Sequence, residues 1–230
     1  MNIEIPPRVV FTKFLCLIFV LLFFNIVGII SKFYLNNNAY GLIPLFDFSA
    51  EKNIPTFFSS VILLFASSLL SIIAVTNKRN GAKYLAWLWL AIIFLYLSID
   101  EIASIHEMLT DPVRKLFNTS GLLYYAWVIP YGIALIVFVV VYFKFLIRLP
   151  NYIKRLFVIS GATFVSGAIG FELFGGRHFE LHGRDNLIYS SLYTCEEFLE
   201  MLGIVIFIYA LLLYIVIQFK SLTIIVNESK

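Results

Sequence analysis

Three stretches of the chain carry side chains suited to chemistry. The first reads Ser98-Ile-Asp-Glu-Ile-Ala-Ser-Ile-His-Glu107 and holds Asp100, Glu101, His106 and Glu107. The second ends Gly170-Phe-Glu172. The third reads Tyr193-Thr-Cys-Glu-Glu-Phe-Leu-Glu200 and holds Glu196, Glu197 and Glu200. Carboxylates with a histidine form a donor set for a divalent metal such as iron, manganese or zinc. Helical bundles build two-metal sites from such residues, commonly with Glu-x-x-His on one helix, a spacing missing here. Without a cation, carboxyls crowded together must hold protons, because neighbouring like charges cannot all ionise. Asp100, Glu101, His106, Glu107, Glu172, Glu197 and Glu200 are therefore the candidate metal ligands or proton-binding groups. Glu196 is read as an acid that favours a helix N-terminus.

A secondary candidate is the pair His178 and His182 in Gly175-Gly-Arg-His-Phe-Glu-Leu-His-Gly-Arg-Asp185. Four residues apart is a ligand spacing on a helix, but the flanking glycines predict a polar loop. Arg177 and Arg184 in that stretch suit pairing with acids or with lipid phosphates. The stretch around Asp47, Glu51 and Asn53 is semi-apolar, and is expected to lie along an interface or simply lead into the next helix.

The elements that must position these residues follow from composition. The chain has 230 residues, 61% hydrophobic and 13% charged, with a mean hydropathy of +0.93. A soluble domain carries about 25% charged residues, so lipid is the expected solvent. A span needs about 20 mostly apolar residues. Six segments meet that need, near residues 11–30, 57–75, 84–108, 122–147, 152–174 and 196–218. The predicted fold is all-α, a single transmembrane domain over 1–230 built as a bundle of about six helices. The first segment lacks a small-residue cleavage site and is read as an uncleaved helix. The third is expected to end near Pro112, with Tyr96, Asp100, Ser104 and Glu107 on one face and His106 on the opposite flank. Pro130 is expected to kink the fourth. Ser160, Gly161, Ser166, Gly167 and Gly170 are expected to let the fifth pack closely.

Alternating connections place eleven Lys and Arg with the chain ends, among them Arg8, Lys13, Lys78, Arg79, Lys144, Arg148, Lys220 and Lys230. Six fall on the other side: Lys32, Lys52, Arg114, Lys115, Arg177 and Arg184. Basic residues are retained in the cytoplasm, so both termini are expected there. Of 14 Asp and Glu, only Glu4 and Glu228 lie on the side of the termini; all three histidines lie on the other. The polar chemistry therefore belongs to the outer face.

Several function classes are excluded. There is no Gly-x-Ser-x-Gly elbow, no phosphate-binding Gly-rich loop with Lys and Ser or Thr, and no histidine pair inside facing spans for haem. No basic run suits nucleic acid. Cys16 and Cys195 make no spaced pair, so neither a disulfide framework nor a thiolate metal site is expected. No stretch points to an oligomer of particular size.

The segments around Phe46 to Ser60, Leu97 to Glu107, Tyr125 to Tyr131 and Glu196 to Gly203 resemble a family of uncharacterised bacterial multi-spanning membrane proteins with no assigned activity. The resemblance implies the bacterial inner membrane, with the outer face periplasmic, and no substrate. The resulting expectation is an inner-membrane protein whose outward carboxylate and histidine cluster binds a divalent metal and acts on a lipophilic small molecule entering from membrane lipid. A proton- or cation-coupled transporter or channel, or a non-catalytic assembly partner, would use the same residues. Transport sites usually lie near the bilayer midplane between inverted repeats, a pattern that acids gathered at one face do not match.

Overall fold

The computed structural model describes residues 6–35 and 43–219. Glu4, Lys220, Glu228 and Lys230 lie outside the described residues. The helices are α1 (Pro7–Tyr34), α2 (Ile43–Phe46), α3 (Ile54–Arg79), α4 (Leu85–Ala103), α5 (Ile105–Phe117), α6 (Val128–Ile147), α7 (Asn151–Val165), α8 (Glu172–His182) and α9 (Leu187–Phe219). A π-helical segment, Ser166–Phe171, joins α7 to α8 without a break, so Asn151–His182 is one continuous run. Among the described residues there is no β-strand. Six runs among the described residues are long and apolar enough to cross a membrane: α1, α3, α4, α6, α7–α8 and α9. The chain is thus a multi-pass helical membrane protein, and alternation of these six runs puts Pro7 and Phe219 on one side. The described acids lie at the other, here termed the distal face.

The outside of the bundle is apolar and much of its polarity is inside, as lipid requires. Val140 is 69% exposed and Phe23 61%, whereas Asn25 is 2% exposed and Ser59 and Ser60 3% each. α9 runs through the centre, packing against α1, α3 and α7. α6 is peripheral, with Val128 its one buried residue.

Small hydroxyl residues set the helix register. Ser60 Oγ donates to the Ser98 carbonyl at 2.8 Å, and Ser98 Oγ returns a bond to the Ser60 carbonyl at 2.9 Å. Seven residues along α3 and seven back along α4, Ser67 Oγ donates to the Ala91 carbonyl at 2.7 Å. Two antiparallel helices locked at points about two turns apart leave little freedom to slide. At the α7–α9 contact, Ser160 Oγ donates to the Gly203 carbonyl at 2.9 Å.

Asn25 fastens α1 to the rest. Its Nδ2 donates to Thr194 Oγ1 at 2.8 Å, and its Oδ1 accepts from the Phe48 backbone N–H at 3.0 Å. Asn25→Ala strands a buried donor and should destabilise the fold by about 1–3 kcal/mol. Thermal unfolding of the detergent-solubilised protein checks this; an unchanged midpoint would refute the role.

Several boundaries differ from the sequence expectation. The expected helix over 84–108 is broken at Ser104, which takes a left-handed conformation (φ 51°). α5 then continues past Pro112 to Phe117. Proline there removes the partner of the Met108 carbonyl; Met108 is 68% exposed, so water or headgroups can replace it. Pro130 sits in the first turn of α6, where no intrahelical N–H is required, so it starts the helix and the expected kink has no basis. The expected end at 174 moves to His182, and α9 starts at Leu187 rather than 196. Of the glycines expected to make 175–185 a loop, Gly175 and Gly176 are packing positions inside α8, and Gly183 caps its end with φ 71°. A Cβ on Gly176 would meet Tyr125 Cδ2 at 2.7 Å, and one on Gly175 would meet Tyr193 at 3.3 Å.

Candidate functional site

The acids reach one layer because two helices cross in register. Phe94 of α4 stacks on Phe207 of α9, with centroids 4.6 Å apart. Glu101 lies seven residues beyond Phe94, and Glu200 seven residues before Phe207. The spans run in opposite directions, so both glutamates stand two turns, about 10.5 Å, on the distal side of that stack. Seven residues is close to two full turns, so each keeps the facing side of its helix. Glu197, one turn further along α9, joins them. The carboxyls of Glu101, Glu172, Glu197 and Glu200 all lie within electrostatic reach of Glu200 or Glu197. Glu101, Glu197 and Glu200 are half-buried and make no hydrogen bond or ion pair with any described residue.

Of the remaining expected residues, Asp100, His106 and Glu172 are brought to the same layer but are already engaged. Asp100 is 4% exposed. Its Oδ1 accepts the His106 backbone N–H at 2.8 Å; its Oδ2 faces His106 Nδ1 at 3.3 Å and accepts from Tyr131 Oη at 3.0 Å. The Tyr96 hydroxyl lies 2.7 Å from that of Tyr131. The break at Ser104 makes this possible: a straight helix would carry His106 to the flank opposite Asp100, whereas the left-handed residue folds the backbone back onto it. The expected face shared by Asp100, Ser104 and Glu107 is lost for the same reason, and Glu107 is exposed.

Glu172, 5% exposed, accepts from Trp127 Nε1 at 2.7 Å and from Tyr193 Oη at 3.3 Å. The indole of Trp127 also packs on the His106 ring, centroids 4.8 Å apart. Asp100, His106, Trp127, Glu172 and Tyr193 therefore form one continuous contact chain from α4 to α9. Gly167, in the π segment, lets α9 close on it: a Cβ there would meet the Glu196 carbonyl at 2.7 Å and Glu200 Cγ at 3.0 Å. Such π segments recur at functional sites. Gly161 and Gly170, expected to serve the same contact, have nothing within 4 Å.

Two acids outside the candidate set join the layer. Glu196 is 6% exposed and neighbours Glu172, and its Oε2 is fully buried with no hydrogen-bond partner. Reading it as a helix-end acid placed the helix start nine residues too late. Glu51 comes from the loop before α3. Asn53 organises that loop, capping Thr56 N at 3.1 Å and donating to the carbonyls of Asp47 at 2.6 Å and Ala50 at 2.8 Å. No spacing rule places a loop residue against helices distant in sequence, so the sequence marks Glu51 only as part of a stretch along an interface or leading into the next helix.

No lysine or arginine among the described residues forms an ion pair in the layer. Among the described residues the basic side chains in salt bridges are Lys32 with Asp185, Arg114 with Asp111, and His106 with Asp100. Among the described residues, no three His, Cys, Asp or Glu side chains are gathered closely enough to hold a metal ion. His178 and His182 lie elsewhere, stacked one turn apart on α8 with ring centroids 4.6 Å apart. Cys16 and Cys195 are free.

Two groups outside the spans titrate in a consistent direction. The surrounding protein, then the charges of Glu107, Glu172 and Asp100, push the exposed Glu51 up to about 7, against the pull of His106. For His106, burial works downward but is outweighed by its hydrogen bond to Asp100 and by the charges of Asp100, Glu51 and Glu107, so its value rises. Both groups hold a proton more tightly folded than unfolded. Their stabilising contribution is complete below the unfolded values of 4.5 and 6.5 and is lost as pH rises through the folded ones, about 7 for Glu51. Thermal midpoints should therefore fall from pH 5 to pH 8, and Glu51→Gln should flatten that slope. A midpoint that climbs over this interval would contradict the assignment.

A helical bundle with six runs able to span a membrane and a partly buried layer of carboxyls at one face defines the class: a multi-pass helical membrane protein. The chain belongs to the family described as a domain of unknown function (DUF8692), whose model matches residues 14–215. No curated protein and no solved structure matches it significantly.

Proposed function

We propose that this membrane protein takes up a divalent cation at Glu101, Glu197 and Glu200 and releases protons as it does so. The observation that carries the reading is that these three carboxyls, on the facing sides of α4 and α9, lie within one another's electrostatic reach and have no partner among the described residues. Carboxyls in such a place are costly unless protonated or matched by a cation. Iron, manganese and zinc accept this donor type. Since no three ligands are yet gathered, uptake requires side-chain rotation that draws Glu101 toward the α9 pair. Asp100 and Glu172, already held by His106, Tyr131, Trp127 and Tyr193, would orient the layer rather than ligate. The bias of basic residues toward the chain ends supports a cytoplasmic location for both termini, which would open the site to the far side of a bacterial inner membrane.

The hydrogen-bonded run Tyr96, Tyr131, Asp100 and His106 favours one alternative, a proton-coupled role without metal. The two readings separate by experiment. Elemental analysis of the detergent-purified protein, followed by Mn²⁺ or Zn²⁺ titration at pH 6 and pH 8, should show tighter binding at pH 8 with measurable proton release. Absence of binding at both values would overturn the cation reading and leave proton exchange.

A further inference from the structure

A groove of about 270 Å³, lined by Phe174, Arg177, His178, Leu181 and Leu192, runs between α8 and the first turns of α9, apart from the acid layer. The four α8 residues follow i, i+3, i+4 and i+7 and so share one face. Phe174 and Leu181 are 59% and 62% exposed, so the groove opens on the lipid-facing surface near the distal end of the spans. Arg177 is exposed and has no hydrogen bond or ion pair with any described residue. The acids nearest it in sequence are committed elsewhere: Glu180 accepts the Gly121 backbone N–H at 2.6 Å, Glu172 accepts from Trp127 and Tyr193, and Asp185 pairs with Lys32 at 3.2 Å.

His178 is oriented rather than loose. Asn186 Nδ2 donates to the Gly183 carbonyl at 2.8 Å, and its Oδ1 accepts from Tyr189 N at 2.9 Å. That oxygen therefore faces the imidazole at 2.7 Å, and Nε2 carries the proton. The groove thus offers one uncompensated guanidinium, a fixed imidazole and an apolar slot side by side. A guanidinium binds phosphate through two parallel N–H donors, and the slot suits a hydrocarbon chain.

We propose that the α8–α9 groove binds an anionic phospholipid, its phosphate on Arg177 and its acyl chain running inward against Phe174 and Leu192. Native mass spectrometry of the full chain in detergent, with phosphatidylglycerol or phosphatidylcholine of matched acyl chains, tests this. Wild type should retain phosphatidylglycerol about fivefold better, the worth of one basic residue at an anionic lipid surface. Arg177→Gln should erase that preference, Arg184→Gln should keep it, and Leu192→Trp, which fills the slot, should lower retention of both lipids. Equal retention of the two lipids by wild type, or an unchanged preference in Arg177→Gln, would overturn the proposal. So would displacement of the lipid by inorganic phosphate at equal concentration, because the acyl contacts would then contribute nothing.

Discussion

Replacing Glu197 and Glu200 together by glutamine is expected to abolish divalent-cation uptake while leaving the bundle folded and more stable to heat. Glutamine keeps the shape of each side chain and removes its charge. Losing groups that merely orient a metal ligand costs about 10–100-fold in affinity, and losing two proposed ligands should exceed about 100-fold. Stability moves the opposite way. Glu200 feels the charges of Glu101, Glu172, Glu51 and Asp100, and Glu197 those of Glu101, Glu200, Glu51 and Glu172. Removing two members relieves that repulsion, as often happens when a strained functional site is dismantled. A titration paired with thermal unfolding at pH 8 reads both signs. A variant that binds as wild type does would remove α9 from the site. A variant that loses heat stability would make the acids structural.

Gly203→Ala should be the most damaging single-methyl substitution in the bundle. The added Cβ would sit 2.7 Å from the Phe164 backbone nitrogen, 2.8 Å from Phe164 Cβ and 3.0 Å from its Cα. Two of these are backbone atoms of α7, which cannot step aside without parting the helices. The same contact carries the Ser160 bond to the Gly203 carbonyl. Overpacking commonly costs about 1–3 kcal/mol, and more where backbone must move; this site belongs at the upper end. Gly161→Ala, with nothing within 4 Å, is the matched control and should be neutral. Thermal midpoints of the two variants decide the matter: equal midpoints would mean that the α7–α9 contact is loose.

The acid layer shows where reading from sequence stops. Spans are legible because each is a run of apolar residues of the needed length, and lipid imposes that requirement whatever the neighbours are. The side of each acid is legible because spans alternate in direction. Burial of Asp100 and Glu172 could be anticipated too, since a carboxyl within a span must face protein. His106 could not be placed: periodicity assumes an unbroken helix, and one residue with φ 51° at Ser104 reverses the outcome. The glycines of α8 mislead for a related reason. The same residue type serves a turn or a close approach, and the difference lies in Tyr125 and Tyr193, which arrive from elsewhere in the chain.

Sequence by itself thus determined a multi-pass helical membrane protein with its acids and histidines collected at one face, because the solvent acts on each segment independently. Tertiary structure alone decided which acids meet. The Phe94–Phe207 stack sets Glu101 level with Glu200, the loop held by Asn53 brings in Glu51, and the fold of Ser104 gives Asp100 its histidine. Each depends on contacts between residues far apart in sequence, or on one backbone conformation that no residue type enforces.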